Sequence, residues 1–263
     1  MAISDNPSDH SLGTKIPALL EVMRPANIVT AFADILAGFA IAGGAISLVG
    51  SSMPSISPEG LGWLLLSTFG LYGGGVVFND YFDADLDAEE RPERPIPSGR
   101  ISPGSVALLG SLLLLLGIVS AFQVNAYSLV LAILIAGGSL VYDKWAKHSK
   151  LWGPLLMGLL RGWNLLLGCS IVPITILLDW YLPVIPIAYI GAITLISQGE
   201  VHGGTQKTGF TSMAIIGLII GGLLSLGLQP SYNLMMALPF IIIFGITVLP
   251  PSLKPLLIQT RNL

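Results

Sequence analysis

Long apolar runs alternate with short polar breaks along almost the whole chain. Runs of roughly 20 apolar residues, the length that crosses a bilayer as a helix, recur about eight times. They lie near 27–50, 60–82, 104–122, 126–142, 152–174, 181–198, 211–228 and 233–250. The pattern predicts an all-α integral membrane protein with about eight transmembrane helices. Every run is apolar on all sides, so periodicity does not separate a protein-facing stripe from a lipid-facing one. Small residues punctuate the runs, as in GLYGGGVV at 70–77, AGG at 136–138 and GLIIGG at 217–222. In lipid, small residues let helices approach closely, and that is the role expected of them.

The breaks differ in charge. Lys15 and Arg24 precede the first run, Arg91, Arg94 and Arg100 follow the second, and Lys144, Lys147 and Lys150 follow the fourth. Lys207 follows the sixth, and Lys254 and Arg261 follow the eighth. The alternate loops, near 50–60, 122–126, 174–181 and 229–233, contain no Lys or Arg. The positive-inside rule then places both termini and the acidic stretch after the second run in the cytoplasm. Arg161, inside a run, is the basic residue outside that scheme. Residues 1–23 are mixed and polar, unlike a cleavable signal peptide, and are expected to form a mobile cytoplasmic tail. The remainder, and hence 1–263 as a whole, is expected to be a single transmembrane domain.

Composition agrees. The 263 residues are 53% apolar and 10% charged, and mean hydropathy is +0.79. Soluble domains carry about a quarter charged residues. One cysteine, Cys169, excludes an internal disulfide and a thiolate metal set. A formal charge of −3, confined to a few loops, offers nothing to nucleic acid.

The chemistry concentrates in NDYFDADLDAEERPERPIPSGRIS, residues 79–102. Asn79, Asp83 and Asp87 stand at i, i+4, i+8, and Asp80, Asp83 and Asp87 at i, i+3, i+7. On a helix these positions share one face, whereas Asp85 points elsewhere. Like charges one turn apart repel, so the cluster calls for a counter-cation. An all-oxygen donor set suits a hard ion, and Mg²⁺ typically uses one or two carboxylates, waters and substrate phosphates. A solvated acidic loop between two spans is the plain alternative, but the acids keep helical spacing and run back into the apolar stretch.

Asn79, Asp80, Asp83 and Asp87, followed by RPERPIPSGRIS, resemble the first aspartate-rich signature of the UbiA-type intramembrane prenyltransferases. The resemblance covers nearly the whole chain. It implies a ring of helices around a lipid-facing cavity. The family usually has nine helices, so with eight runs the last one is expected to be absent here. It implies Mg²⁺ on Asn79, Asp80, Asp83 and Asp87, with the three aspartates and Lys147 as catalytic residues. A polyprenyl diphosphate would be neutralised by Arg91, Arg94, Lys147 and Tyr142, and its prenyl group passed to a small lipophilic or aromatic acceptor. Tyr142 and Lys147, in YDKWAKHSKLWGP, match the family's Tyr-then-Lys element. Asn27, in RPAN, resembles a substrate-site residue and shares a face with Asp34, a candidate partner for Arg161. Arg161 and Asn164, in LLRGWNLLLG, are expected to line the cavity. The family's second aspartate motif is eroded to LISQGEVHGGTQKTG: Glu200 keeps one position, and Ile196 and Gly204 replace others. Glu200 is expected to bind substrate or a second Mg²⁺ weakly. Within the superfamily, RPAN, DILAGFAIAGG, residues 70–102 and ISQGEVHGG look most like the EboC branch. The eroded motif leaves a rival, a non-catalytic UbiA-like protein that binds or delivers an isoprenoid or aromatic metabolite. A secondary transporter, with Asp34 paired to a moving ion, is the third possibility.

Overall fold

Serine and proline set where the long helices begin. Pro58 and Pro103 open two of them behind Ser57 and Ser102, whose hydroxyls accept from the Glu59 and Ser105 amides at 3.2 Å. Proline at the first helical turn has no needed N–H to lose, and the serine satisfies one that remains. The computed structural model describes residues 12–44, 56–201 and 206–228, with scattered positions between 234 and 246. In these residues run α1 (Leu12–Met23), α2 (Pro25–Ile41), α3 (Pro58–Phe82), α4 (Ala84–Glu90), α5 (Pro103–Phe122), α6 (Ala126–Lys144) and a 3₁₀ turn (Ala146–His148). Then follow α7 (Trp152–Cys169), α8 (Pro173–Leu178), α9 (Val184–Val201) and α10 (Gln206–Gly227).

The expectation of about eight spans in a ring is overturned. Among the described residues three helices are long and apolar enough to cross a bilayer, namely α3, α5 and α6. The bent pair α1–α2, broken by 43°, makes a fourth if counted as one span. An apolar run predicts burial, not an unbroken helix of sufficient length. In the first run the described helix α2 has 17 residues, beginning behind Arg24, whose left-handed backbone (φ 45°, ψ 60°) ends α1; positions 45–50 of that run lie outside the described residues. In α7, Arg161 and Asn164 dilute the apolar stretch. The apolar part described in α10, Met213–Ser225, is short. The run expected at 233–250 lies mostly outside the described residues.

The helices form two compact units, residues 1–144 with 163–180, and residues 145–162 with 181–263; α7 contributes to both. In the first unit α3 is the hub, packed by α1, α2, α5 and α6. Its contact with α5 is backbone to backbone. A Cβ added at Gly117 would stand 2.8 Å from the Ser67 carbonyl oxygen. The Ser67 hydroxyl donates to the Gly117 carbonyl at 2.8 Å across the same crossing. Gly70 faces the Leu113 carbonyl in the same way. Gly70 thus serves close approach, as expected of the 70–77 stretch, whereas Gly137, Gly217, Gly221 and Gly222 have no neighbour within 4 Å of an added Cβ.

Val22, Val77, Ile101, Val106 and Leu113 form a buried apolar cluster. Val22 belongs to α1, and Ala18 of the same helix is also fully buried. Residues 12–23, expected within a mobile tail, are therefore packed helix. Leu108, Leu112, Leu115 and Val119 leave one side of α5 exposed and apolar. In water such a stripe would be an aggregation liability, whereas lipid is as apolar as leucine. The chain is accordingly a multi-pass integral membrane protein. In the second unit α9 packs on α10. An apolar groove of about 800 Å³ there is lined by residues such as Leu155, Val184 and Leu218.

Candidate functional site

At its C-terminal end α3 passes into α4 through Asp83 (φ −90°, ψ 3°) without losing helical register. The Asp83 amide donates to Asn79 O at 3.0 Å, and the Asp87 amide to Asp83 O at 2.7 Å. Asp80 and Asp87, seven positions apart, therefore still face the same way. Both are buried. Carboxylates at a helix C-terminus meet the negative end of its dipole, and burial removes water that would screen them. Cations must replace it, and two arginines do. Arg94 Nη1 donates to Asp87 Oδ2 at 2.7 Å and to Asp80 Oδ1 at 3.3 Å. Arg24 Nη2 forms an ion pair with the same Asp80 oxygen.

The loop after α4 is built to deliver Arg94. Its amide donates to the Arg91 carbonyl at 3.0 Å, and the Ser98 hydroxyl donates to the Arg94 carbonyl at 2.6 Å. Arg100 ties the loop to α1 through a two-pronged bond to Glu21, at 2.6 and 3.1 Å, and to the Glu93 carbonyl at 2.6 Å. The pairing of Arg100 with Glu21 raises the Arg100 pKa and lowers that of Glu21, so both partners are charged near neutral pH. Beside the acids, Asn79 Nδ2 donates to Asp143 Oδ1 at 3.1 Å. Asp143 is itself buried near the end of α6.

The other expected site residues fall in both units. Asp83 is half-buried at the α3–α4 junction, and Arg91 and Asn27 are exposed. Tyr142 is half-buried on α6, next to Asp143. Asn164 is buried and fully engaged: it accepts from the Thr68 hydroxyl at 2.7 Å and donates to the Ala31 carbonyl at 2.9 Å and to Asp34 at 3.1 Å. It pins α2, α3 and α7 together. Lys147, in the 3₁₀ turn, and Arg161, on α7, belong to the second unit. Glu200 lies in the last turn of α9 with its side chain outside the described residues, as are His202 and Gly204.

Two residues at the centre of the network were not expected there. Arg24 stands in the sequence as a flanking positive charge and the first residue of RPAN, and Asp143 unremarked beside Tyr142. An acid at the end of an apolar run was the available signal for Asp143, the same one that marks Asp80. Among the described residues no group of three or more His, Cys, Asp or Glu side chains is gathered into a metal site. Instead, Asp80 and Asp87 converge on one cationic group, the Arg94 guanidinium.

Buried carboxylates matched with arginines at the end of a membrane-crossing helix make this an integral membrane protein with a charged, partly buried site where an apolar helix ends. The chain belongs to the UbiA prenyltransferase family, which matches residues 35–258. It is similar to digeranylgeranylglyceryl phosphate synthases of archaea. Over 150 residues it is 37% identical to that of Methanothrix thermoacetophila, covering 57% of this chain and 53% of the relative. Over 225 residues it is 27% identical to that of Hyperthermus butylicus, covering 77% and 72%. The chain spans about half the length of the first curated relatives it matches, 53% and 55%. In fold it is similar to a solved structure from work on digeranylgeranylglyceryl phosphate synthase in membranes. The TM-score is 0.69 at 22% identity, over 90% of this chain and 86% of the other. A UbiA homolog from Archaeoglobus fulgidus, bound to DMAPP and Mg²⁺, is similar with a TM-score of 0.66 at 14% identity, over 92% and 87%.

These relatives overturn the expected likeness to the EboC branch. The motifs that suggested it are acids, arginines and small residues.

Proposed function

We propose that this chain is an intramembrane prenyltransferase that takes a polyprenyl diphosphate as donor and a glyceryl phosphate lipid as acceptor. The observation that carries the proposal is the pair of buried carboxylates, Asp80 and Asp87, gathered around one guanidinium at the end of an apolar helix. The names of the relatives point to a geranylgeranyl donor and a glyceryl phosphate, and replace the aromatic acceptor as first choice.

The donor set fits Mg²⁺. Two carboxylates already converge on a common cation, and Mg²⁺ commonly takes one or two carboxylates with phosphate and water completing its shell. Asp80 and Asp87 would hold it, with Asn79 and Asp83 adjacent; Glu200 is a weaker candidate from the sequence pattern alone. When bound, Mg²⁺ neutralises charge on the leaving diphosphate. Arg24 and Arg94 bind and orient the diphosphate through forked, charge-assisted hydrogen bonds, and Arg91 attracts it from the exposed loop. Lys147 and Tyr142 are assigned the same neutralising role by the family pattern. The allylic C–O bond breaks, the diphosphate leaves with the electron pair, and an acceptor hydroxyl oxygen bonds to the allylic carbon and releases its proton to the departing diphosphate. The apolar surroundings exclude water that would otherwise capture the cation. The charge pattern of the loops favours a cytoplasmic location for this face.

The test uses purified protein in nanodiscs with Mg²⁺ and geranylgeranyl diphosphate. One arm carries geranylgeranylglyceryl phosphate, a second carries an aromatic acid, and a third carries neither. Prenylated glyceryl phosphate by mass spectrometry, with matching diphosphate release, is the expected result. Product only in the aromatic arm would replace the acceptor. No release in any arm would leave a binding or delivery protein.

A further inference from the structure

We propose that Arg24 and Arg94 are resident counter-ions of the carboxylate pair, and that they keep its cation site closed until a diphosphate draws them away. The inference rests on the metal-dependent reading above and assigns these residues a gating function within it.

The pair is matched acid for arginine, and its acids are desolvated. Two carboxylates, with side chains only 7% and 5% exposed, face two guanidiniums that are 34% and 22% exposed. The acids are thus sealed inside and the arginines lie on the outer side, toward an arriving ligand. Arg94 bridges both acids, so it occupies the position in which a shared divalent cation would bind. Arg24 adds a second claim on Asp80. It does so from the bend between α1 and α2, with a left-handed backbone, and it is the one non-glycine residue with positive φ among those described. A strained conformation persists where its surroundings over-determine it, and such residues gather at ligand clamps and switches.

Charge arithmetic gives the device its sense. A divalent cation arriving alone meets acids that are already neutralised and two like charges at close range. A diphosphate arriving alone attracts the arginines but strands two buried carboxylates, which is costly. Arriving together, the two ligands keep the site balanced: the arginine forks turn to phosphate oxygens and the carboxylates to the metal. Each ligand therefore raises the affinity for the other by the same factor. In practical terms the acids stay closed to free cytosolic cations, and the apolar helix end is not charged without substrate.

Metal alone tests this, without turnover. Mn²⁺ binding is measured by equilibrium dialysis on the intact protein in nanodiscs for the wild type, Arg94→Gln and Arg24→Gln, with melting temperatures recorded for each. Arg94→Gln is expected to bind Mn²⁺ at least about tenfold more tightly than the wild type, because a like charge leaves both acids. Arg24→Gln is expected to give a smaller gain, since it frees Asp80 only. Adding Asp87→Asn to Arg94→Gln should abolish the gain. Should Arg94→Gln not fold, the gain in Arg24→Gln decides. Equal Mn²⁺ affinity in wild type and folded variants, or weaker binding in the variants, would overturn the proposal. This outcome is independent of the product assay, so a failed gate and a failed transferase are told apart.

Discussion

Asn164→Leu separates a structural asparagine from a substrate contact. Leucine nearly matches the side chain in volume, so the change removes polarity rather than packing. Three hydrogen bonds disappear, those to the Thr68 hydroxyl at 2.7 Å, the Ala31 carbonyl at 2.9 Å and Asp34 at 3.1 Å. Interhelical hydrogen bonds within membranes average about 0.6 kcal/mol in double-mutant cycles and reach about 1.7. The Ala31 carbonyl retains a place in its own helix, but the buried Thr68 hydroxyl and half-buried Asp34 each lose that bond. The expected loss is about 2–3 kcal/mol of stability from these three bonds. The assay is equilibrium unfolding in mixed micelles, run as a cycle with Thr68→Val. The cycle should return a coupling of about 1 kcal/mol between the two positions. A loss below about 0.5 kcal/mol, or additivity in the cycle, would refute the pinning role. If stability were unchanged while KM for the donor rose, Asn164 would be a substrate contact, as its place in LLRGWNLLLG suggested.

Asp80→Asn and Asp87→Asn should each lower prenyl transfer by about a hundredfold or more, whereas exposed Asp85→Asn should stay within about twofold; diphosphate release on purified protein measures both. Gly117→Leu should destabilise the first unit by about 1–3 kcal/mol or more, because even a Cβ there would press on the Ser67 carbonyl at 2.8 Å; a melting curve unchanged from wild type would show that α3 and α5 can part freely. Glu21→Gln should cost less than about 1 kcal/mol, and that loss should fade in high salt, since its pair with Arg100 is exposed. Lys147→Gln is expected to lower the transfer rate while leaving the melting temperature in place, which would place its charge in the chemistry rather than in topology.

By itself the sequence determined the features that depend on neighbours along the chain. Membrane character follows from composition and run length. The shared face of Asp80 and Asp87 follows from a spacing of seven, and it survives the α3–α4 junction because the i to i−4 bonds continue through Asp83. The helix-contact role of the 70–77 glycines is equally local. Tertiary structure alone decided the partners. Arg24 reaches Asp80 across 56 residues and Asn79 reaches Asp143 across 64, and no periodicity encodes such separations. It also set where helices begin and end, as at Arg24, whose left-handed backbone separates α1 from α2 with a 43° bend. Asn164 shows the same limit. A polar residue in an apolar run must find a partner, and whether that partner is a ligand or three neighbouring helices depends on how the helices cross.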